Sequence, residues 1–522
     1  MAQLDFTVRH PEWVSNEHRW RMAIDIYRGG RHVISPTRQI GHVFRAVPGH
    51  HASGSTTEGI DPNPSRQPAL PNYTSFPTES YLHSHPRETT SEYQNRINRS
   101  RHIAIFRYMV DTLTAATLRI GAARDSAAGE PWTTYWGNVD HCGTPINGFI
   151  RRALEAALIY GRVSALTDAP SMPMGPPPAS RLHEMSLGLR PYSYLISPLD
   201  LVDWQLDEHG QMVWATVRED TPQFRIPGGE LFQATDQYRV WDTEGWTLYR
   251  ESEPGKMDWG VAGDGEHRLG RVPIRHLFAR RASAERCTLE SDSILADVVD
   301  FDRDLFNKLS LLDEQLYKQV FALLAVPLAQ GEDLGAFEIG PGNALGFNAE
   351  AGQPVYLSPS PEIVKVQRDL VTQDIQAVRQ VHGVSRGKAE FSKEERSASA
   401  LTLESQDKHN VVAALAEAVE AFDRGLHQDV ADWMGTDAVP QVSYSRELTL
   451  KSSREQIGDA RELATGLGVP AGVIREMVKP VALRIMREHG RPDEVIQKVV
   501  KLLEEEPEEA PPMPQPEAEA DA

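Results

Sequence analysis

The run that decides the fold is SILADVVDFDRDLFNKLSLLDEQLYK, residues 293–318, near the start of a longer stretch from Ser283 to Trp433. Ile294, Val298, Phe301, Leu305, Leu309, Leu312 and Leu316 recur every three or four positions, the signature of one apolar helix face. The pattern stops at Val326-Pro327. From there to Ser360 the chain carries Gly331, Gly335, Gly340, Gly342, Gly346 and Gly352, with short apolar runs at Ala344-Leu345-Gly346-Phe347 and Val355-Tyr356-Leu357. Helical spacing resumes at Ile363, Val366, Leu370, Ile375 and Val378. It breaks at Gly383 and resumes once more from Ser397 to Trp433. The reading is a helical hairpin with a small β-rich insert, then a Gly- and Lys-containing loop, then one long helix. Such a shape builds rings and pores rather than a catalytic pocket.

Outward from this run, residues 191–278 are strand-rich: Leu201-Val202-Asp203-Trp204, Met212 to Val217, Gln237 to Trp241 and Trp246 to Tyr249 are β-branched and aromatic. Asp242-Thr243-Glu244-Gly245 predicts a hairpin turn. Toward the N-terminus, helices are predicted at Glu17–Tyr27, at Ser91–Ile120 and at Thr144–Tyr160, where Pro145 suits a first turn. Residues 46–80 and 169–180 are Pro-rich and read as loops. After Gly435, residues 452–503 read as short helices, and Asp493–Leu503 as a final amphipathic one.

The chain has 522 residues, 40% of them hydrophobic, a mean hydropathy of −0.43 and a formal net charge of −20. That length calls for several domains. There is no apolar run of about 18 residues and no signal-peptide core near Met1–His10, so neither a membrane span nor export is expected. Two cysteines, Cys142 and Cys287, make no disulfide framework and read as buried or half-buried thiols. Residues 504–522 hold eight acids and no base, a tail read as disordered, which leaves −12 on the rest. An acidic body is poorly suited to gripping DNA, though it suits letting a duplex slide past. Ordinary solubility explains the same charge.

No GxxxxGK[ST] loop or HExxH string is present, and the one GxSxG string, Gly383-Val384-Ser385-Arg386-Gly387, sits in a loop between two predicted helices rather than at a strand-to-helix turn, so the chain has no evident motor, zincin site or hydrolase elbow, and no cofactor or metal is expected. The glycines from Gly263 to Gly270 are misplaced for a dinucleotide fingerprint and read as a turn between strands. His50, His51, His83 and His85 lack ligand spacing and read as solvated. Asp297, Asp300, Asp302 and Asp304 resemble a nuclease's carboxylate set, but helical geometry puts 302 on a different face from the other three. Residues 289–318 and 397–434 are rich in acids, the second through Glu404, Asp407, Glu417, Glu420, Asp423, Asp429 and Asp432. Between them, Gly383–Arg396 carries Arg386, Lys388, Lys393 and Arg396. Acidic walls with a basic loop fit a DNA conduit, and an ordinary charged linker fits the same composition.

Several strings, taken in order, resemble the portal proteins of tailed bacteriophages over residues 80–500. They are Tyr81 to Glu88 with Glu92-Tyr93 and Arg96; Ile105, Tyr108, Val110, Asp111 and Leu113; Arg396-Ser397-Ala398-Ser399-Ala400-Leu401; Ala413-Ala414-Leu415; and Ala431-Asp432-Trp433-Met434-Gly435. The resemblance implies a mainly α fold with an α+β wing at 1–288. The stem hairpin would be 289–318 with 362–383, the clip 319–361, the tunnel loop 384–396, the long wing helix 397–434 and the crown 435–503. It further implies a non-enzymatic homododecameric ring in the virion, at one capsid vertex, assembled in the host cytoplasm. Through it the genome is packaged and ejected. Its partners would be double-stranded DNA read without sequence preference, the terminase large subunit, a head–tail connector, and the major capsid and scaffolding proteins, with no membrane. In that frame Arg386, Lys388, Lys393 and Arg396 touch DNA, and Asp297, Asp300, Asp304, Asp313 and Glu314 form the acidic stem. Two alternatives stay open: a phage-encoded metal-dependent nuclease or hydrolase, and a structural adaptor without a channel.

Overall fold

The computed structural model describes residues 5–34, 81–86, 88–124, 129–170, 190–220, 236–251, 259–280, 288–319, 323–328, 344–348, 355–357, 361–381 and 398–446, and positions 479, 482, 498 and 499. The chain divides into two units, Met1–Glu447 and Leu448–Ala522. All elements below belong to the first. The Pro-rich stretch 46–80, the loop 384–396, nearly all of 447–503 and the tail 504–522 lie outside the described residues.

Helix α1 (Pro11–Arg28) is longer than the predicted Glu17–Tyr27. Pro11 occupies the first turn, and the His10 ring accepts the Glu12 N–H at 3.2 Å, so a histidine does the capping that Ser or Asp usually does. Helix α2 (Arg31–Ile34) is a single turn. The expected helix over 91–120 is two helices, α3 (Thr90–Arg99) and α4 (Ile105–Thr117). Neither Gly nor Pro breaks it. The Ser100 hydroxyl bonds back to Arg96 O at 2.7 Å, and the chain turns so that Asp302, from a distant helix, can cap α4. Thr89 and Glu92 close a capping box at the start of α3.

Helix α5 (Glu130–Gly137) leads to α6 (Ile146–Tyr160), which follows Pro145 as anticipated. Helix α6 is the centre of the core. Phe149, Ile150, Ala153, Leu154, Ala156, Ala157, Leu158 and Ile159 are all at most 2% exposed, a broad apolar face opposite a narrow polar one of Asn147, Arg151 and Arg152. It packs on α1, α4 and the strand that follows it.

Three sheets complete the body. Strands β2 (Arg162–Asp168), β3 (Tyr192–Ile196) and β9 (Ile274–Phe278) form an antiparallel sheet in the order β3-β2-β9. Strands β4 (Leu201–Leu206), β5 (Met212–Asp220), β6 (Asp236–Trp241), β7 (Gly245–Glu251) and β8 (Trp259–Glu266) form a sequential antiparallel meander. The β6–β7 turn is the predicted one, with Asp242 Oδ1 accepting the N–H groups of Glu244 and Gly245 at 2.8 and 2.7 Å. Strand β1 (Ala122–Arg124) pairs with β13 (Val442–Tyr444), three hundred positions away, inside the stretch the resemblance assigns to the crown. Gly263 and Gly265 stand within β8 rather than in a turn. A Cβ on Gly265 would sit 2.8 Å from the Trp246 ring, so the glycines serve aromatic packing. Phe6 stacks on Tyr238 at 4.9 Å and closes one face of the meander.

From this body emerge the hairpin helices α7 (Ala296–Gln319) and α8 (Pro361–Val381), which contact each other. Between them in the chain, β10 (Leu323–Leu328) pairs in parallel with β11 (Ala344–Asn348) and antiparallel with β12 (Val355–Leu357). The last helix, α9 (Ala398–Met434), runs 37 residues and returns to pack on α4, α6, β2, β9 and β13. The described residues therefore form a mixed helix-and-sheet structure.

Candidate functional site

The hairpin leaves the body at a close crossing. Gly161, the residue after α6, has φ +92°, and a Cβ there would lie 2.7 Å from Ser291 O. The Ser293 hydroxyl bonds Leu158 O, and its oxygen accepts the Leu295 N–H at 3.0 Å. Residues 289–295, expected to be helical, are thus a tethered approach, and the helix begins at Ala296.

Along α7 the buried apolar residues are Val298, Val299, Leu305, Phe306 and Leu312. Periodicity located Val298, Leu305 and Leu312. The buried face also includes a carboxylate, Asp302, at 0% exposure. Its Oδ2 accepts the Phe106 N–H at 2.9 Å, and its Oδ1 lies 3.1 Å from His102 Nε2. A residue of the hairpin thereby caps α4, placing negative charge at that helix's positive end. Asp297, Asp300 and Asp304 share an exposed face, and Arg303 pairs with Asp300 at 3.3 Å and Asp304 at 3.2 Å. The four aspartates do not converge, as helical geometry anticipated. Among the described residues no group of three or more His, Cys, Asp or Glu could hold a metal ion.

Asp313 is exposed toward the outer end of α7. Glu314 is not part of that acidic surface: it is turned toward α3 and ion-paired with Arg99. Leu311, Leu316 and Tyr317 on α7, and Val366 and Leu370 on α8, are 39–58% exposed, a concentration of large apolar groups on the hairpin. Arg386, Lys388, Lys393 and Arg396 lie outside the described residues.

The acids of α9 sort differently from the sequence reading. Asp423 and Asp429 are 0% exposed and so cannot belong to a solvated acidic wall. Asp423 receives Arg124 Nη2 at 2.6 Å and the Tyr444 hydroxyl at 2.7 Å. Burial alone would raise its carboxyl; the His427 hydrogen bond, the Arg124 charge and the Tyr444 hydroxyl outweigh that and hold it below the usual carboxylate range. His427 Nδ1 lies 2.7 Å from Asp423 O, and its Nε2 accepts the Trp136 indole N–H at 2.7 Å. Asp429 takes Arg275 Nε and Nη2 at 2.9 and 2.8 Å, with Arg271 at 2.6 Å. Gly425 leaves the room: a Cβ there would meet Arg275 at 3.3 Å. These buried pairs fasten the outgoing half of α9 to β1, β9 and β13. Their arginine partners lie far off in the chain, so spacing within α9 carried no signal of those pairs.

His83 and His85 are exposed, as anticipated. Cys142 is exposed rather than buried, and Cys287 lies outside the described residues. Among the described residues no helix is long and apolar enough to cross a membrane.

No family model matches this chain, and no curated protein matches it. Among solved structures it is similar to a chain in the virion of a native gene transfer agent particle, at 11% identity and a TM-score of 0.32, covering 71% of this chain and 88% of that one. It is also similar to a chain in the neck of the native particle computed with C12 symmetry, at the same identity and coverage and a TM-score of 0.35. Overlaps at these TM-scores are loose.

Proposed function

We propose that this chain is a portal-type subunit of a tailed-phage particle. Copies close into a ring, a homododecamer by the sequence resemblance, at one capsid vertex of the virion. The genome passes through the ring during packaging and ejection. The ring docks the terminase large subunit and later a head–tail connector, beside capsid and scaffolding proteins. The chain makes and breaks no bonds, and the work of translocation comes from a separate ATPase.

The observation that carries this reading is the order of parts. An α+β body gives rise to a helical hairpin holding a three-stranded insert, and one 37-residue helix returns to bury half its length in the body. This order supports the succession of wing, stem, clip and long helix that the resemblance implies. The exposed Leu311, Leu316, Tyr317, Val366 and Leu370 support it, since such groups gain stability when neighbouring copies cover them. The exposed face of Asp297, Asp300 and Asp304 suits a wall that does not hold phosphates. Sedimentation of the purified full chain tests the reading. A single high-order species is expected, and a strictly monomeric or dimeric protein at every concentration and salt overturns it.

A further inference from the structure

The hairpin helix α7 is attached to the body in two chemically different ways. Its inner half, through Phe306, is held mainly by apolar burial, with the Asp302 cap on Phe106 as a fully buried polar contact: Leu295 just before the helix and Val298, Val299, Leu305 and Phe306 within it are all at most 4% exposed. Beyond Phe306, among the described residues, Ser310 and Leu312 are the buried ones, and the contacts that tie this half to the body are mostly polar. Asn307 Oδ1 accepts the His83 N–H at 2.8 Å, and its amide donates to Tyr81 O at 2.9 Å. Ser310 Oγ receives Arg96 Nη1 at 3.1 Å and lies 2.6 Å from Ser100 Oγ. Arg99 pairs with Glu314 and lies 4.0 Å over the Tyr317 ring.

The element supplying most of these contacts, α3, is internally complete. Arg96 is gripped by Glu88 through two hydrogen bonds of 2.7 Å and donates to His83 O at 2.7 Å. The capping box closes the same end. Separating α3 from α7 therefore leaves the buried Arg96–Glu88 pair intact, and no charge is stranded, which is the step that makes breaking a buried pair costly. The groups uncovered on α7 are an amide, a hydroxyl and a carboxylate, which water solvates at small net cost, and one face of the already half-exposed Tyr317 ring.

We propose that α3 is a polar clasp that holds the outer half of α7 against the body and can release it while the inner half stays packed. Helix α8 leans on the same outer half, with Lys308 Nζ 2.7 Å from Asp374 Oδ2, so release frees the outer hairpin as a unit. The inference rests on contacts within one chain and does not depend on the proposed function.

The test is hydrogen exchange on the full chain, comparing amides of 307–319 with those of 298–306. Arg99→Gln and Glu314→Gln should each speed exchange in 307–319 by about tenfold, the factor expected for one charge-assisted contact. Exchange in 298–306 should be unchanged, and the double variant should go no further than either single one. Added salt should speed the outer half of the wild type and not of the double variant. Should Arg99→Gln compromise folding, Glu314→Gln alone decides. Equal acceleration of both halves, or none in the outer half, overturns the proposal.

Discussion

Asp302 of α7 accepts the backbone N–H of Phe106 at 2.9 Å, so the hairpin itself caps a helix of the body. Removing that carboxylate uncaps α4 and strands His102, whose side chain is 1% exposed. Asp302→Ala should cost on the order of 1–2 kcal/mol, as a lost cap. Asp302→Asn, which keeps a carbonyl acceptor, should cost less. Denaturant midpoints check this, and a loss no larger than that of the exposed Asp300→Ala contradicts it.

Gly161→Ala should be strongly destabilising, because φ +92° is joined to a Cβ contact of 2.7 Å with Ser291 O at the root of the hairpin. Gly30→Ala is the comparison. Its φ is +58° with nothing within 4 Å, so only the backbone cost of about 1 kcal/mol applies. Equal losses at the two sites would mean that the crossing at Gly161 relaxes freely.

Asp25 is buried in α1, and burial pushes its carboxyl up to about 6 against the Tyr81 hydroxyl bond at 3.1 Å and the charges of Arg28 and Arg21. The folded state therefore holds a proton that the unfolded chain has already lost. By linkage, this group's contribution to stability falls as pH rises from about 4 to about 6 and then levels off. The change is on the order of 3 kcal/mol at most. Asp25→Asn should flatten that part of the stability profile, and an unchanged slope would count against the burial argument.

The exposed aspartates of α7 should be dispensable for any bond chemistry. Asp297→Ala and Asp304→Ala should leave stability within about 0.5 kcal/mol, as surface changes do, and purified protein should cleave no DNA with added divalent cations. Metal-dependent cleavage lost in either variant would favour the nuclease alternative.

The hairpin was legible because its apolar residues recur at helical spacing over more than twenty positions, and a run of glycines from Gly331 to Gly352 marks the insert. Pro145 and the Asp242–Gly245 turn were legible because their signals are local. The break between α3 and α4 was not, since its cause is a carboxylate about two hundred positions downstream. Strands β1 and β13 are three residues each and exist only through their mutual pairing, so no alternation announced them. Asp423, Asp429 and Glu314 read as solvated acids because composition counts charges without their partners. Arg124, Arg275 and Arg99 supply those partners from other elements. Trp246 likewise explains Gly265 only across the sheet.

The most direct test of the central claim is electron microscopy of the purified full chain. The account predicts a closed ring whose axial hole admits a B-form duplex, with α7 and α8 around the axis and the loop carrying Lys388 and Lys393 facing the opening. Particles without a through-channel, or a ring with the hairpin on its outer rim, would contradict it.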